Sequence, residues 1–193
     1  LVGHRDVREE YRVRYELDGM VVFAVGNVFE RKGVRTFCEL AEATDYEFVW
    51  FGPYDSGPHA TPTVKRLTGD PPANVTFTGW IKDIRGGFGA GDVYLFPTKD
   101  ENQGIAVLEA MACGKAVVLS DIDVFQEFYT DGEDCLMCSS QHEYIKALDR
   151  LAADPELRHQ LGENAKETAA EHTLDQLGDD LVQAYQDVLT GVV

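Results

Sequence analysis

The sequence predicts an α/β fold: a Rossmann-like parallel sheet of about six strands with helices on both faces, followed by C-terminal helices. Three observations carry this. Six short apolar runs recur between residues 21 and 138, each too short for a helix of normal length and rich in β-branched or aromatic residues. Helical patterns separate several of them, which is the spacing of βαβ units. The runs are continuous rather than alternating, as in strands of a sheet covered on both faces.

Residues 1–19 mix Arg and Glu and form a leading segment. The first run, 21–25, ends at Gly26 and is followed by a helical pattern over 34–43. The second, 48–51, ends at Gly52. Residues 53–74 are rich in Pro and Gly and read as the most flexible loop, with a short helical piece near 64–67. The third run, 75–78, ends at Gly79 and leads to a helical pattern over 82–90. The fourth, 93–96, ends at Pro97, and a helical pattern spans 104–113. The fifth, 117–119, ends at Ser120-Asp121, and the sixth, 135–138, at Ser139-Ser140. Beyond residue 140 the pattern is helical, over 141–153, 155–170 and 173–189. Asp154-Pro155 is an N-cap with Pro at the first helical position. Leu174, Leu177, Leu181, Tyr185, Val188 and Leu189 form one apolar stripe, which should cover the sheet or reach a partner domain.

The 193 residues are read as a single domain, and 44% hydrophobic content supports a sizeable core. A formal charge of -17 argues against a nucleic-acid partner, which requires a basic patch. The acid is dispersed, so it is no acidic tail. It fits an ordinary acidic enzyme, or a protein of a high-salt cytoplasm, where an acidic surface is a known device. With no signal-like or spanning apolar stretch, the chain is expected to be cytoplasmic, or a piece of a cytoplasmic protein. Cys135 and Cys138 lack a second Cys or His pair, so free buried thiols are expected.

In an open α/β sheet, ligands bind beyond the carboxyl ends of the strands. The stretch Glu101-Asn-Gln-Gly-Ile-Ala-Val-Leu-Glu109 lies at one such end. The free N–H groups of a helix starting at Gly104, Ile105 and Ala106 would make an anion site. Glu109 would lie about 9 Å further along the axis, the reach from a diphosphate to a ribose diol. A carboxylate can accept both diol hydroxyls. Glu101 would face whatever the diphosphate carries. The loop after the first strand is Gly26-Asn-Val-Phe-Glu-Arg-Lys-Gly33. It is not a dinucleotide fingerprint, but Lys32 could supply a cation for the diphosphate. The glycine-rich 86–91 segment precedes its strand, so it is read as a helix end packed close to the sheet rather than a phosphate loop. None of the five histidines has metal spacing, and His59, in the flexible loop, is the one of interest.

Together these segments resemble the C-terminal, donor-binding domain of the retaining glycosyltransferases of family 4 (group 1), which have the GT-B fold. The likeness runs from about residue 21 to residue 171. It rests on Val25-Gly26 with Lys32-Gly33, Asn74-Val-Thr-Phe-Thr-Gly79, Asp92-Val-Tyr-Leu-Phe-Pro97 and the Glu-x7-Glu signature from Glu101 to Glu109. Asp131-Gly132-Glu133 and the segment from Asp154 to Ala165 also fit. The resemblance implies a sugar transfer from a nucleotide-diphosphate sugar, with retention. Glu101 would contact the donor sugar near its anomeric carbon and Lys32 would neutralise the leaving diphosphate. Glu109 would hold the ribose. Gly26, Asn27, Gly104, Ile105 and Ala106 would line the phosphates, and Trp80 and Ile81 would border the base. No metal and no other cofactor are implied.

Two departures stand out. Asn27 replaces the family's usual Arg, a lost phosphate cation for which Arg31 is the candidate substitute. Asn102-Gln103-Gly104 replaces the usual Gly-Phe-Gly. Gly26 to Gly33, Phe48 to Gly52 and Asp121 to Phe125 look like the bacterial enzymes that build glycolipids on diacylglycerol, which suggests a lipid acceptor at a membrane surface. A complete GT-B enzyme carries an N-terminal acceptor domain ahead of this one, so the chain is expected to bind nucleotide weakly and transfer nothing alone. The alternatives are a nucleotide-sugar-binding module that has lost catalysis, or another GT-B activity such as an epimerase.

Overall fold

The six apolar runs become six parallel strands: β1 (Val21–Val25), β2 (Glu47–Phe51), β3 (Val75–Phe77), β4 (Val93–Phe96), β5 (Ala116–Ser120) and β6 (Leu136–Cys138). The computed structural model describes residues 1–57 and 60–191, and His59 lies outside them. The sheet order is β3-β2-β1-β4-β5-β6. Chain order therefore reverses between β1 and β4, which pair in parallel at Val22↔Val93 and Phe23↔Tyr94. A crevice opens beyond the strand ends at such a reversal.

Both faces are covered, as the continuous runs require. Along β1, Val22 and Ala24 point into one apolar layer. Val21, Phe23 and Val25 point into the other. The first layer packs under α2 (Val34–Glu42), α3 (Pro62–Gly69) and α7 (Gln141–Ala153), with Phe37 edge-on to Phe48 and Trp50. The second packs under α4 (Arg85–Ala90), α5 (Ile105–Ala112) and α8 (Pro155–Ala170).

The boundaries follow their capping residues. Ser140 and Glu143 make a reciprocal capping box that starts α7. Asp154 caps α8, with Pro155 at its first position. The pattern over 82–90 shortens to Arg85–Ala90 because the Arg85 N–H donates to Asp83, which holds the preceding turn. Within 53–74, Thr61 caps α3.

Two helices lack a counterpart in the sequence pattern. In the leading segment, a 3-10 turn (His4–Val7) runs into α1 (Arg8–Arg14). Its contacts are made by Tyr11, buried at 4% exposure, and by two arginines. Arg8 donates to Gly89 O at 2.8 Å and pairs with Asp92 at 2.6 Å, and Arg12 donates to Ala90 O at 3.1 Å. The glycines of α4 permit this approach. A Cβ on Gly86 would lie 2.1 Å from the Tyr11 ring, and one on Gly89 would lie 2.2 Å from His4 O. The glycine-rich segment is thus a close-packed helix. It lies close to the sheet as expected, with a Cβ on Gly91 2.0 Å from the Phe23 ring, and it also packs against the leading segment, which was not expected. The second is α6 (Asp123–Phe128), a short helix that buries Phe125.

The last helix, α9 (Leu174–Thr190), leaves Leu177, Leu181, Tyr185, Val188 and Leu189 exposed. Its stripe does not cover the sheet, which corrects that half of the expectation. The side chain of Leu174 lies outside the described residues.

Candidate functional site

The crevice is built from loops tied main chain to main chain. The Gly26 N–H donates to Phe51 O at 2.9 Å, and Trp50 Nε1 donates to Gly26 O at 2.9 Å. A Cβ on Gly52 would lie 2.1 Å from Gly26 O, so the β1 and β2 loops touch there. Gly52 in turn bridges to Gly79, its N–H donating to Gly79 O at 3.2 Å. Trp80, 71% exposed, and half-buried Ile81 follow that stack on the β3 side. On the β4 side, Gly33 has φ +80° and a Cβ there would lie 1.9 Å from Pro97 O. An L side chain fits neither that conformation nor that space.

Between these contacts sits Lys32. Its Nζ lies 5.5 Å from the centroid of the Phe96 ring, a cation–π distance. Burial lowers its pKa, and the nearby Glu101 carboxylate opposes the shift. Glu101 is 13% exposed at the side chain and pairs with Arg31 at 3.6 Å. Its Oε1 also accepts the Asn102 N–H at 3.1 Å. Arg31 donates to Asp100 O at 3.1 Å as well. The guanidinium proposed to replace the cation missing at Asn27 is therefore engaged with the Glu101 loop. Asn27 itself is exposed and brings no charge.

Two residues beyond Asn102, Gly104 adopts φ +76° at the N-cap of α5. No side chain caps this helix, so the N–H groups of Ile105 and Ala106 point past its end toward the crevice. Together with the positive end of the helix they favour an anion. Ala106 and Glu109 are half-buried and Ile105 is exposed. Burial raises the Glu109 pKa, and no hydrogen bond or ion pair to another described residue holds its carboxylate. The phenol of fully buried Tyr94 is raised by desolvation, then by Glu109 and Glu101, so both carboxylates act on the same ring of β4.

The structure thus gathers Gly26, Lys32, Glu101, Gly104, Ile105 and Ala106 at the switch between β1 and β4, with Glu109 one helical step behind. Trp80 and Ile81 join through the Gly52–Gly79 bridge. Sequence reasoning placed Thr98 among the strand-end loops without giving it a role, and it overlooked the Arg31–Glu101 pair; the structure buries Thr98 beneath the two loops. The sequence signal for Thr98 was its place in the Pro97-Thr98 loop that follows β4. Among the described residues, no group of three or more His, Cys, Asp or Glu is arranged to hold a metal. The cysteines are free and buried, and burial raises the pKa of each thiol.

These features describe a Rossmann-like α/β domain with an uncapped helix N-terminus between two carboxylates at its topological switch, where an anion is favoured. The family model for glycosyl transferases group 1 matches residues 7–168, and the chain belongs to that family. The processive diacylglycerol alpha-glucosyltransferase of Acholeplasma laidlawii is 30% identical over 186 residues, covering 94% of this chain and 55% of that protein. Among solved structures, sucrose-phosphate synthase from Thermosynechococcus elongatus superposes with a TM-score of 0.81 at 24% identity, covering 95% of this chain and 49% of that one. Anabaena HepE in complex with UDP-glucose gives 0.80 at 19%, covering 96% and 53%. These likenesses establish the fold. The chain spans about half the length of the curated relatives it matches.

Proposed function

We propose that this chain is the donor-binding half of an enzyme that transfers a sugar from a nucleotide-diphosphate sugar to an acceptor, with retention at the anomeric carbon. The observation that carries it is the uncapped α5 N-terminus lying between Glu101 and Glu109. The diphosphate lies on the N–H groups of Ile105 and Ala106, with Gly104 allowing close approach. Glu109 accepts the ribose hydroxyls. Lys32 offsets the charge that develops on the leaving diphosphate. Glu101, held by Arg31, contacts the sugar. Trp80 and Ile81 border the base. The reaction uses no metal or other cofactor in this reading.

The acceptor reading rests on the relative in Acholeplasma laidlawii, named for diacylglycerol. A lipid acceptor would bring the whole protein to the inner face of a membrane from the cytoplasm, as a peripheral protein. No helix of the described residues is long and apolar enough to cross one. Alone, the chain binds nucleotide weakly and transfers nothing, because an acceptor domain has to close the crevice. Asn27 favours a second reading, a donor-binding module without catalysis, since it removes one phosphate cation.

A thermal-shift screen across nucleotide sugars, followed by titration of the best nucleotide, tests the binding step. A shift with at least one nucleoside diphosphate is expected. No shift with any of them refutes the proposal. Sugar transfer by the full-length protein, lost in Glu101→Ala, separates the enzyme from the silent module.

A further inference from the structure

One buried hydroxyl lies between the two loops that carry Lys32 and Glu101. Thr98 follows β4 and Pro97 and is 1% exposed. Its Oγ1 lies 3.1 Å from Arg31 O and 2.9 Å from Asp100 O. A hydroxyl carries one proton, so it is shared between these two acceptors. Each carbonyl is reinforced by a second donor. Lys99 N–H reaches Arg31 O at 2.8 Å, and Arg31 Nη1 reaches Asp100 O at 3.1 Å. Thr98 is itself held from behind. Ser120 Oγ donates to Thr98 O at 2.6 Å, and Tyr144 OH donates to Ser120 Oγ at 2.9 Å. A buried polar chain therefore runs from α7 through β5 to both site loops.

The two acceptors matter because of where they sit in the chain. The Arg31 carbonyl shares a planar peptide with the N and Cα of Lys32, and the Asp100 carbonyl with those of Glu101. Fixing these two carbonyls to one hydroxyl fixes the backbone origins of both side chains relative to each other. The N–H groups of Ile105 and Ala106, and the Glu109 carboxylate, belong to α5 and make no bond to Thr98.

We propose that Thr98 is a positioning residue that sets the spacing between the Lys32 amine and the Glu101 carboxylate. This rests on the donor-site reading above. Loss of the hydroxyl lets the two loops drift while α5 still holds the donor. Turnover falls and donor binding persists, since a misplacement of about 1 Å can cost on the order of 100-fold in rate.

The test compares Thr98→Val, which keeps the shape without the hydroxyl, with Thr98→Ser, which restores the hydroxyl. In the full-length protein, UDP release from UDP-glucose is followed in the presence of diacylglycerol vesicles. Thr98→Val is expected to lower kcat at least about tenfold with KM for UDP-glucose within about threefold, and Thr98→Ser to recover most of it. A kcat for Thr98→Val equal to wild type overturns the proposal, as does a loss that Ser does not rescue. Amide exchange on the same variants is the second readout. Faster exchange at residues 31–32 and 100–102 in Val, absent in Ser, supports the clamp, and unchanged exchange overturns it whatever the activity. Wild-type protein that releases no UDP leaves the donor-site reading to the nucleotide-sugar screen and the clamp to the exchange result. If Thr98→Val does not fold, Thr98→Cys, of similar volume and a weak donor, takes its place.

Discussion

Replacing Glu109 should move affinity and stability in opposite directions. The carboxylate is half-buried, its pKa is raised by desolvation, and no described residue pairs with it. If it accepts two ribose hydroxyls, each charge-assisted bond contributes at least about 1.5 kcal/mol, so the pair contributes about 3 kcal/mol. At about 1.4 kcal/mol per decade, Glu109→Ala weakens nucleotide binding by roughly 100-fold. Glu109→Gln keeps one acceptor oxygen and a neutral amide, so roughly tenfold is expected. The group's folded pKa lies above its ordinary value of 4.5. Between those two pH values the folded state binds more protons than the unfolded state, so stability falls as pH rises through the window. Above both values, the full desolvation cost of the ionised group is present. Glu109→Gln removes that cost, so the variant should be at least as stable as wild type at pH 7. The difference should shrink as pH falls toward 4.5. Titration with UDP by calorimetry reads the first quantity, and urea denaturation at several pH values reads the second. Unchanged affinity in both variants would falsify the ribose role. A Gln variant less stable than wild type at pH 7 would mean that the carboxylate serves the fold instead.

Three further outcomes are expected. Gly33→Ala places a side chain at φ +80°, 1.9 Å from Pro97 O; left-handed strain of about 1–2 kcal/mol plus the displaced loop should lower Tm by several degrees. Gly19→Ala, at φ +61° with nothing nearby, should lose less, and equal losses would show that the contact with Pro97 is unimportant. Burial lowers the Lys115 pKa to about 8, with its Nζ donating to Gly91 O at 2.7 Å. Between pH 8 and the ordinary lysine value of 10.5 the unfolded state binds more protons, so Lys115 makes stability rise with pH there. Denaturation curves should show that Lys115→Met lacks this rise; parallel pH profiles for variant and wild type would refute it. A high-salt origin, suggested by the charge of -17, predicts that Tm rises between 0.1 and 2 M KCl, and a flat or falling Tm would point to an ordinary acidic protein.

How far the sequence could be read depended on how local each signal was. The strands were visible because both faces of the sheet are covered, which makes the runs continuous. The helices over 141–153 and 155–170 matched their sequence bounds because Ser140 with Glu143, and Asp154 with Pro155, mark their first residues within four positions. Glu101, Gly104 and Glu109 are equally local, so their placement about the start of α5 was visible too. What escaped notice joins distant parts of the chain. α1 is held by arginines that reach carbonyls about 80 positions away, which gives no apolar period to detect. The Arg31–Glu101 pair and the Thr98 hydroxyl depend on the loops after β1 and β4 being neighbours. That follows only from the strand order.

On the proposed reading, that adjacency also bears on how so acidic a chain would take an anionic donor. At about 1 M salt the Debye length is about 3 Å, so the overall field of the chain neither attracts nor repels at a distance. At low salt the field of a -17 protein opposes the approach of a diphosphate. In both regimes binding has to come from contacts made at hydrogen-bond range. Side chains alone supply such contacts poorly here: Asn27 brings no charge and Arg31 is engaged with Glu101. The main chain supplies what remains. The N–H groups at the start of α5 are fixed in direction by the helix. Gly33 lies against Pro97, and Gly52 against Gly26. Lys32, the remaining cation of the β1 loop at the crevice, is therefore held by backbone packing. A substitution at any of these contacts should act on the donor through geometry, with little dependence on salt.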